Sequence, residues 1–216
     1  MTVLPYCILL GDSVAAFPET GVLNSRIHQL IERDLLVLYS ELSKSDISPK
    51  TFQSAALDFH EAVHAVFSHA AVVPFRFPTW LTSPELSKHL QQESLRYSTF
   101  LSRHAQHAQM EVRVTPPPTG SVADAKTGTE HLRARAAESR HLRNTAETVK
   151  KLLSSEAIEW RERDTPQGFR LYALVDRANI AAFRERLSKC EHQINVRWSG
   201  PWPATEFLES PRRSEP

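Results

Sequence analysis

The stretch Ser199-Gly200-Pro201-Trp202-Pro203, which follows a strand-like run over residues 194–198, is the most distinctive segment of this chain. Two prolines flank the tryptophan, and each proline ring fixes its own φ and restricts the residue before it. Trp202 is therefore predicted to lie in a stiff, extended segment. Gly200 permits a β-bulge or the close approach of another backbone at the start of that segment.

The elements upstream of this stretch predict the fold of the second half. Hydrophobic periodicity predicts, in order, a strand over residues 110–115, a long helix over 130–157, strands over 158–163 and 169–176, and a short amphipathic helix over 177–190. With the closing strand this is the split βαβ, ferredoxin-like order, β-α-β-β-α-β, in which both helices cover one face of an antiparallel sheet. The Pro-rich segment 116–128 before the long helix is predicted to be an exposed connection.

The first half predicts a separate α+β unit. Its expected elements are a strand over residues 6–10, a hairpin within 27–42, a helix that starts at Ser48-Pro49, a strand over 72–77, and a helix from Ser83 to about residue 107. We therefore expect an α+β protein with two domains, residues 1–109 and 110–208, and a polar tail over 209–216.

The composition is that of a folded, nearly neutral protein. Of 216 residues, 41% are hydrophobic, and 26 Lys and Arg residues balance 25 Asp and Glu residues to give a net charge of +1. This balance does not favour a nucleic-acid binder, and the basic helix within 130–151 has no aromatic residue on which a base could stack. The apolar run 3–10 lacks a preceding basic region and is predicted to be a strand rather than a signal peptide. No run approaches the roughly 18 apolar residues of a membrane span, so we expect a cytoplasmic protein.

One helical segment carries a candidate metal motif, His60-Glu61-Ala62-Val63-His64. Histidines at i and i+4 share a helix face and can bind one zinc ion, with the intervening glutamate as general base. A catalytic site needs a third ligand, and none of the downstream candidates completes the extended motif of many such enzymes. Those candidates are Glu85, His89, Glu93 and His104. Apolar neighbours on the same helix argue against the site, so His60, Glu61 and His64 stay weak candidates.

The chain has two cysteines, Cys7 and Cys190. Their wide separation favours reduced, buried and inert thiols over a disulfide.

A second distinctive block is Val72-Val73-Pro74-Phe75-Arg76-Phe77, followed by Thr79. Alternation along a strand could bury both phenylalanines and expose Arg76, or the reverse. Trp80 and Trp202 could likewise be core anchors or exposed contact residues, and periodicity does not decide between these alternatives.

These blocks resemble the gas vesicle protein L/F family. The block at 72–77 is similar to its Val-Leu-Pro-Leu/Phe-Arg-Phe-Gly-Thr segment, and the stretch at 199–203, with Phe207, is similar to its closing Gly-Pro-Trp-Pro-Pro-Tyr-x-Phe. Gly128-Thr129-Glu130-His131-Leu132 resembles the Gly-x-x-Tyr-Leu that opens its long second-domain helix. His60-Glu61-Ala62-Val63 also matches a segment common in that family, in which an apolar residue usually stands in place of His64. Pro78, His131 and Ala204-Thr205-Glu206 depart from the family pattern.

The resemblance implies a non-enzymatic accessory or minor structural protein of gas vesicle formation, without a cofactor. Its expected partners are the small hydrophobic shell subunit and other gas vesicle proteins, and it would act in the cytoplasm or on the vesicle. A soluble partner for an aggregation-prone subunit needs apolar and aromatic surface with a polar rim. The candidate partner-binding or motif residues are Pro74, Arg76, Phe77, Trp80, Gly200, Pro201, Trp202, Pro203 and Phe207. The alternatives are an interaction module of another assembly and a zinc metallopeptidase that uses the two histidines.

Overall fold

The chain forms two compact α+β units. The computed structural model describes residues 2–13, 17–115, 127–165, 168–190 and 196–208. The first unit is Met1–Gln106 and the second is His107–Pro216, so the second begins slightly before the position 110 expected from the sequence. The described residues hold two β-sheets and four α-helices, which confirms the mixed α+β class. Residues 116–126 of the connection expected over 116–128 and the tail at 209–216 lie outside the described residues, and Gly128 already belongs to a helix.

The first unit is built around a central strand. Its elements are β1 (Thr2–Leu10), β2 (Ile27–Glu32), β3 (Leu35–Glu41), α1 (Phe52–Phe67), β4 (Val73–Pro74), β5 (Leu81–Thr82) and α2 (Ser83–Arg103). The sheet order is β2-β3-β1-β4, β5 also pairs with β1, and the described pairings are antiparallel. Every residue of β1 from Val3 to Leu9 is buried, so both faces of this strand are covered. The predicted hairpin is β2–β3.

Several predicted boundaries in the first unit are wrong, since β1 begins at Thr2 rather than at 6 and α2 ends at Arg103 rather than at about 107. Helix α1 begins at Phe52 rather than at Ser48, because Ser48 and Thr51 first close a turn in which the Thr51 N–H donates to the Ser48 carbonyl (3.0 Å). The predicted strand over 72–77 is reduced to β4, because the chain leaves the sheet after Pro74. Helix α2 does begin at Ser83, where Thr82 and Glu85 form a capping box that satisfies free N–H groups of the first turn.

The second unit packs two helices on one face of a four-stranded sheet. Its elements are β6 (His107–Val114), α3 (Gly128–Leu152), β7 (Ala157–Thr165), β8 (Gly168–Asp176), α4 (Ile180–Cys190) and β9 (Val196–Trp202). The sheet order is β7-β8-β6-β9, and all three pairings are antiparallel. Leu142 and Val149 of α3 and Phe183 of α4 share one core with alternate residues of β6 and β8, so both helices cover the same face. The long helix ends at Leu152 rather than at 157, and β9 continues past the predicted end at 198.

A buried hydrogen-bond chain joins the parts of the first sheet. The Val22 N–H donates to the Tyr6 hydroxyl (2.9 Å), which lies 3.0 Å from Ser40 Oγ, and Ser40 Oγ donates to the Arg26 carbonyl (2.8 Å). Because the single Ser40 hydroxyl proton goes to Arg26, the Tyr6 hydroxyl is the donor to Ser40. Tyr6 and Ser40 are 1% and 0% exposed, and the Tyr6 ring stacks on Phe59 at 5.3 Å between centroids.

We predict that Tyr6→Phe lowers the free energy of unfolding by about 1–3 kcal/mol, because it leaves a buried N–H without an acceptor. The measurement is equilibrium unfolding in urea. Tyr39→Phe is the matched control, since Tyr39 lies on the neighbouring strand β3, stacks on His28 and is only half-buried. Equal effects of the two substitutions would contradict this account of the Tyr6 hydroxyl.

Candidate partner-binding site

An open pocket of about 340 Å³ lies beside the Pro74-Phe75-Arg76 segment of the first unit. Its apolar lining consists of Ile8, Val73, Pro74, Phe75 and Leu81, and its polar lining consists of Arg76, Thr79, His89 and Tyr97. Strand β1 forms the floor, β4 and the segment after it form one wall, and α2 supplies the other. The Phe75 N–H donates to the Tyr6 carbonyl (2.9 Å), which fixes this wall to the central strand.

The α2 wall of the pocket carries two polar side chains that are hydrogen-bonded to each other. Tyr97 hydroxyl and His89 Nε2 are 3.1 Å apart and form a hydrogen bond. The His89 ring also lies 6.0 Å from the Phe75 ring, so it bridges the two walls. Burial raises the pKa of Tyr97, which keeps its phenol protonated and neutral.

Arg76 is the charged residue at this pocket. Its side chain is exposed, and Phe75 and Phe77 on either side are half-buried, in a segment that lies beyond the end of β4 and therefore outside strand alternation. Phe77 contacts Phe59 and Phe52, with ring centroids 5.1 Å and 5.4 Å away. The Arg76 carbonyl accepts a hydrogen bond from Thr79 Oγ1. Its guanidinium has no ion-pair or hydrogen-bond partner among the residues that the structure describes.

The closing motif forms a bulge in β9. Glu111 of β6 pairs with Ser199 and Gln109 pairs with Trp202, so the register shifts within the motif, as the glycine predicted. Gly200 has a φ of +119°, and a Cβ there would come within 2.9 Å of the Gln109 carbonyl oxygen. Arg184 Nη2 donates to the Gly200 carbonyl at 2.6 Å and holds the bulge from the side of α4. The motif thus primarily shapes the last strand of the second sheet.

Phe207 anchors the C-terminal turn, Thr205–Phe207, to the outer face of the second sheet. It is 4% exposed, and the Arg161 guanidinium lies over its ring at 5.1 Å from the centroid. Arg161 Nη1 also donates to the Glu206 carbonyl (2.6 Å), and Arg163 Nη2 pairs with Glu206 Oε2 (2.7 Å). Phe207 therefore offers no free ring surface. Sequence reasoning missed both arginines, although their spacing of two residues on one strand put them on one face.

The two tryptophans singled out in the sequence are both half-buried. The indole Nε1 of Trp202 donates to Ser199 Oγ at 3.2 Å, across the bulge. Trp80 lies between Thr79 and Leu81, two residues that line the pocket. Pro201 and Pro203 are half-buried as well. Each tryptophan is thus partly exposed and partly packed against the protein.

A family model decides which proteins this chain belongs with. The model for gas vesicle synthesis protein GvpL/GvpF matches residues 3–209. The chain belongs to the GvpL/GvpF family.

Solved structures agree with this assignment at the level of the fold. The crystal structure of gas vesicle protein GvpF from Anabaena sp. PCC7120 matches with a TM-score of 0.78, over 98% of this chain and 97% of that chain, at 13% identity. GvpF from Microcystis aeruginosa matches with a TM-score of 0.74, over 97% of this chain and 99% of that chain, also at 13% identity. No curated protein sequence matches the chain.

In this GvpL/GvpF chain the metal motif lies on the solvent face of α1. His60, Glu61 and His64 are exposed, and the two imidazole centroids are 6.0 Å apart. Of the downstream candidates, His89 bonds Tyr97, and His104 is buried against Phe100 at 4.7 Å between rings. Within the described part of the chain no group of three or more His, Cys, Asp and Glu side chains is arranged to hold a metal ion.

Cys7 is fully buried in β1, and burial raises the pKa of its thiol to about 12. The side chain of Cys190 lies outside the described residues, so the predicted absence of a disulfide stays a prediction. None of the helices described here is both long and apolar enough to cross a membrane.

We predict that Gly200→Ala lowers the free energy of unfolding by about 2 kcal/mol or more, because an L side chain is strained at positive φ and collides with strand β6. Gly128→Ala is the control, since a Cβ at this helix start meets nothing within 4 Å and alanine favours the helix. Urea unfolding monitored by circular dichroism measures both variants. A neutral Gly200→Ala would refute the structural role assigned to the bulge.

Proposed function

We propose that this protein is a non-enzymatic accessory or minor structural protein of gas vesicle formation. In this role it binds the small hydrophobic shell subunit, or other gas vesicle proteins, during assembly. Membership of the GvpL/GvpF family over residues 3–209 supports a gas vesicle role and is the observation that carries the proposal.

The pocket beside Arg76 supports a binding role. A soluble partner for an apolar subunit has to offer apolar surface that is rimmed by polar groups. Here Val73, Phe75 and Leu81 form the apolar surface, and the exposed Arg76 stands at its edge. The half-buried Phe77 and its neighbour Phe52, which is 46% exposed, extend aromatic surface next to this segment.

The state of the polar groups in the pocket wall favours binding over chemistry. His89 and Tyr97 are hydrogen-bonded to each other, and burial raises the pKa of Tyr97 further from neutrality. A general acid or base works best with a pKa near the working pH, and this shift moves the phenol away from that range.

We place the protein in the cytoplasm, at the growing gas vesicle.

We assign the second unit to the ferredoxin-like, split βαβ arrangement. The chain order β6-α3-β7-β8-α4-β9, with both helices on one sheet face, supports this assignment. The exposed Pro-rich connection between β6 and α3 stays a prediction from the sequence.

The test is co-expression of the tagged protein with the shell subunit, followed by pull-down. We expect the wild-type protein to retain the shell subunit in a soluble complex. Thr79→Phe should reduce retention about tenfold, because a benzyl group at this position occupies the pocket and costs on the order of 1.4 kcal/mol of binding. Thr148→Phe on the exposed face of α3 is the matched control, since its hydroxyl also bonds a nearby backbone carbonyl.

Loss of the shell subunit from the wild-type pull-down, with the other gas vesicle proteins also present, would overturn the proposed function. Equal retention by both threonine variants would leave the function standing and remove the pocket as its site.

A further inference from the structure

The pocket beside Arg76 combines an apolar interior with one fixed charge at its mouth. Among the described residues that line it, Arg76 is the only Arg or Lys, and none is an Asp or Glu. Its volume of about 340 Å³ falls within the range of pockets that hold small ligands or buried side chains. The site is thus suited to an apolar group that carries a negative charge close by.

The charge of Arg76 is available, unlike that of Arg96, which precedes the lining residue Tyr97 on α2. Arg96 pairs with Glu93 at 2.8 Å and lies over the Tyr97 ring at 5.6 Å, so its charge is compensated within the protein. No described side chain compensates the exposed Arg76 guanidinium. A planar guanidinium binds a carboxylate through two parallel hydrogen bonds, and charge-assisted bonds are about twice as strong as neutral ones.

The remaining polar side chains that line the pocket, Thr79, His89 and Tyr97, include no Lys or Arg. The hydroxyl of Thr79 bonds the Arg76 carbonyl, and His89 and Tyr97 bond each other. A neutral partner would gain apolar contact and neutral hydrogen bonds, whereas an acidic one would also gain a charge-assisted bond to the Arg76 guanidinium.

We propose that this pocket recognises a protein partner through an apolar side chain that has an Asp or Glu within about one helical turn. The apolar side chain fills the space between Val73, Phe75 and Leu81, and the carboxylate pairs with Arg76. This inference rests on the proposed function, since it states the chemistry by which the assembly partner is bound.

The recognition chemistry can be measured without the partner. Octanoate carries an apolar chain and a carboxylate, and octanamide is its neutral counterpart. Isothermal titration should show octanoate binding about tenfold more tightly than octanamide to the wild-type protein. The ratio of the octanoate affinity to the octanamide affinity should fall to about one in Arg76→Ala. It should be intermediate in Arg76→Lys, which keeps the positive charge but loses the planar guanidinium. Arg103→Ala, at an exposed position outside the pocket lining, should leave the ratio unchanged.

A second measurement connects the pocket to the partner. Octanoate should displace the shell subunit in the pull-down, and Arg76→Glu should abolish its retention, while octanamide displaces it only weakly.

Each arm has an outcome that overturns a distinct statement. Equal affinity of the wild-type protein for the two probes would refute the carboxylate preference, whatever the pull-down gives. The wild-type protein could prefer octanoate to octanamide and still retain the shell subunit in the presence of octanoate and in the Arg76→Glu variant. That result would refute partner docking at this pocket. A wild-type protein that self-associates and is dissociated by octanoate would identify a second copy as the occupant and would also refute the proposal. If the wild-type protein prefers octanoate to octanamide but does not retain the shell subunit, the proposed function is refuted and the pocket chemistry stands.

Discussion

The first unit depends on Tyr6, because this one residue of the central strand contacts a turn, the neighbouring strand β3, the segment after β4 and helix α1. Its hydroxyl joins the turn at Val22 to strand β3, and its carbonyl holds Phe75 in the wall of the pocket. Its ring stacks on Phe59, which in turn contacts Phe77. The Tyr6 hydroxyl lies so close to the backbone of Gly21 that a Cβ there would be 2.2 Å from the hydroxyl oxygen, so glycine is required at that position. Residue 6 therefore holds the pocket wall through its backbone carbonyl and the rest of the sheet through its hydroxyl.

The second unit has a comparable constraint at Gly200. The bulge there lets the last strand pass close to Gln109 of β6, and the chain beyond it turns back over the outer sheet face. The Glu206 N–H donates to the Gln109 side chain at 3.0 Å, and Arg161 covers Phe207. Both residues of the closing motif that look most like binding residues, Trp202 and Phe207, thus have structural contacts first. Residues that stand out in the sequence can therefore serve the fold rather than contact a partner.

Family membership and the pocket address different questions. The match to the GvpL/GvpF family over residues 3–209 places the protein among gas vesicle proteins, while low identity to the solved GvpF structures limits that comparison to the fold. The pocket supplies a physical reason for partner binding, since it leaves apolar surface and the Arg76 charge uncompensated within the described residues. Arg96, which is next to the lining residue Tyr97 in the chain, is by contrast paired with Glu93.

The sequence by itself determined the features that depend on neighbouring residues. The order of the long strands and helices and the start of α2 at its capping box follow from local chemistry, as does the freedom of Gly200 to form a bulge or to let another backbone approach; the short strand β5 was missed. The start of α1 was misplaced because Ser48-Pro49 serves equally well in a turn, and residues 72–77 were extended too far because a strand needs a partner as well as a pattern. Only the tertiary structure decided that Arg76 is exposed at a pocket, that Phe207 is buried and that His60 and His64 face solvent. Those outcomes depend on which strands pair and which helix faces meet the sheet, and pairing register is set by contacts between residues far apart in the chain.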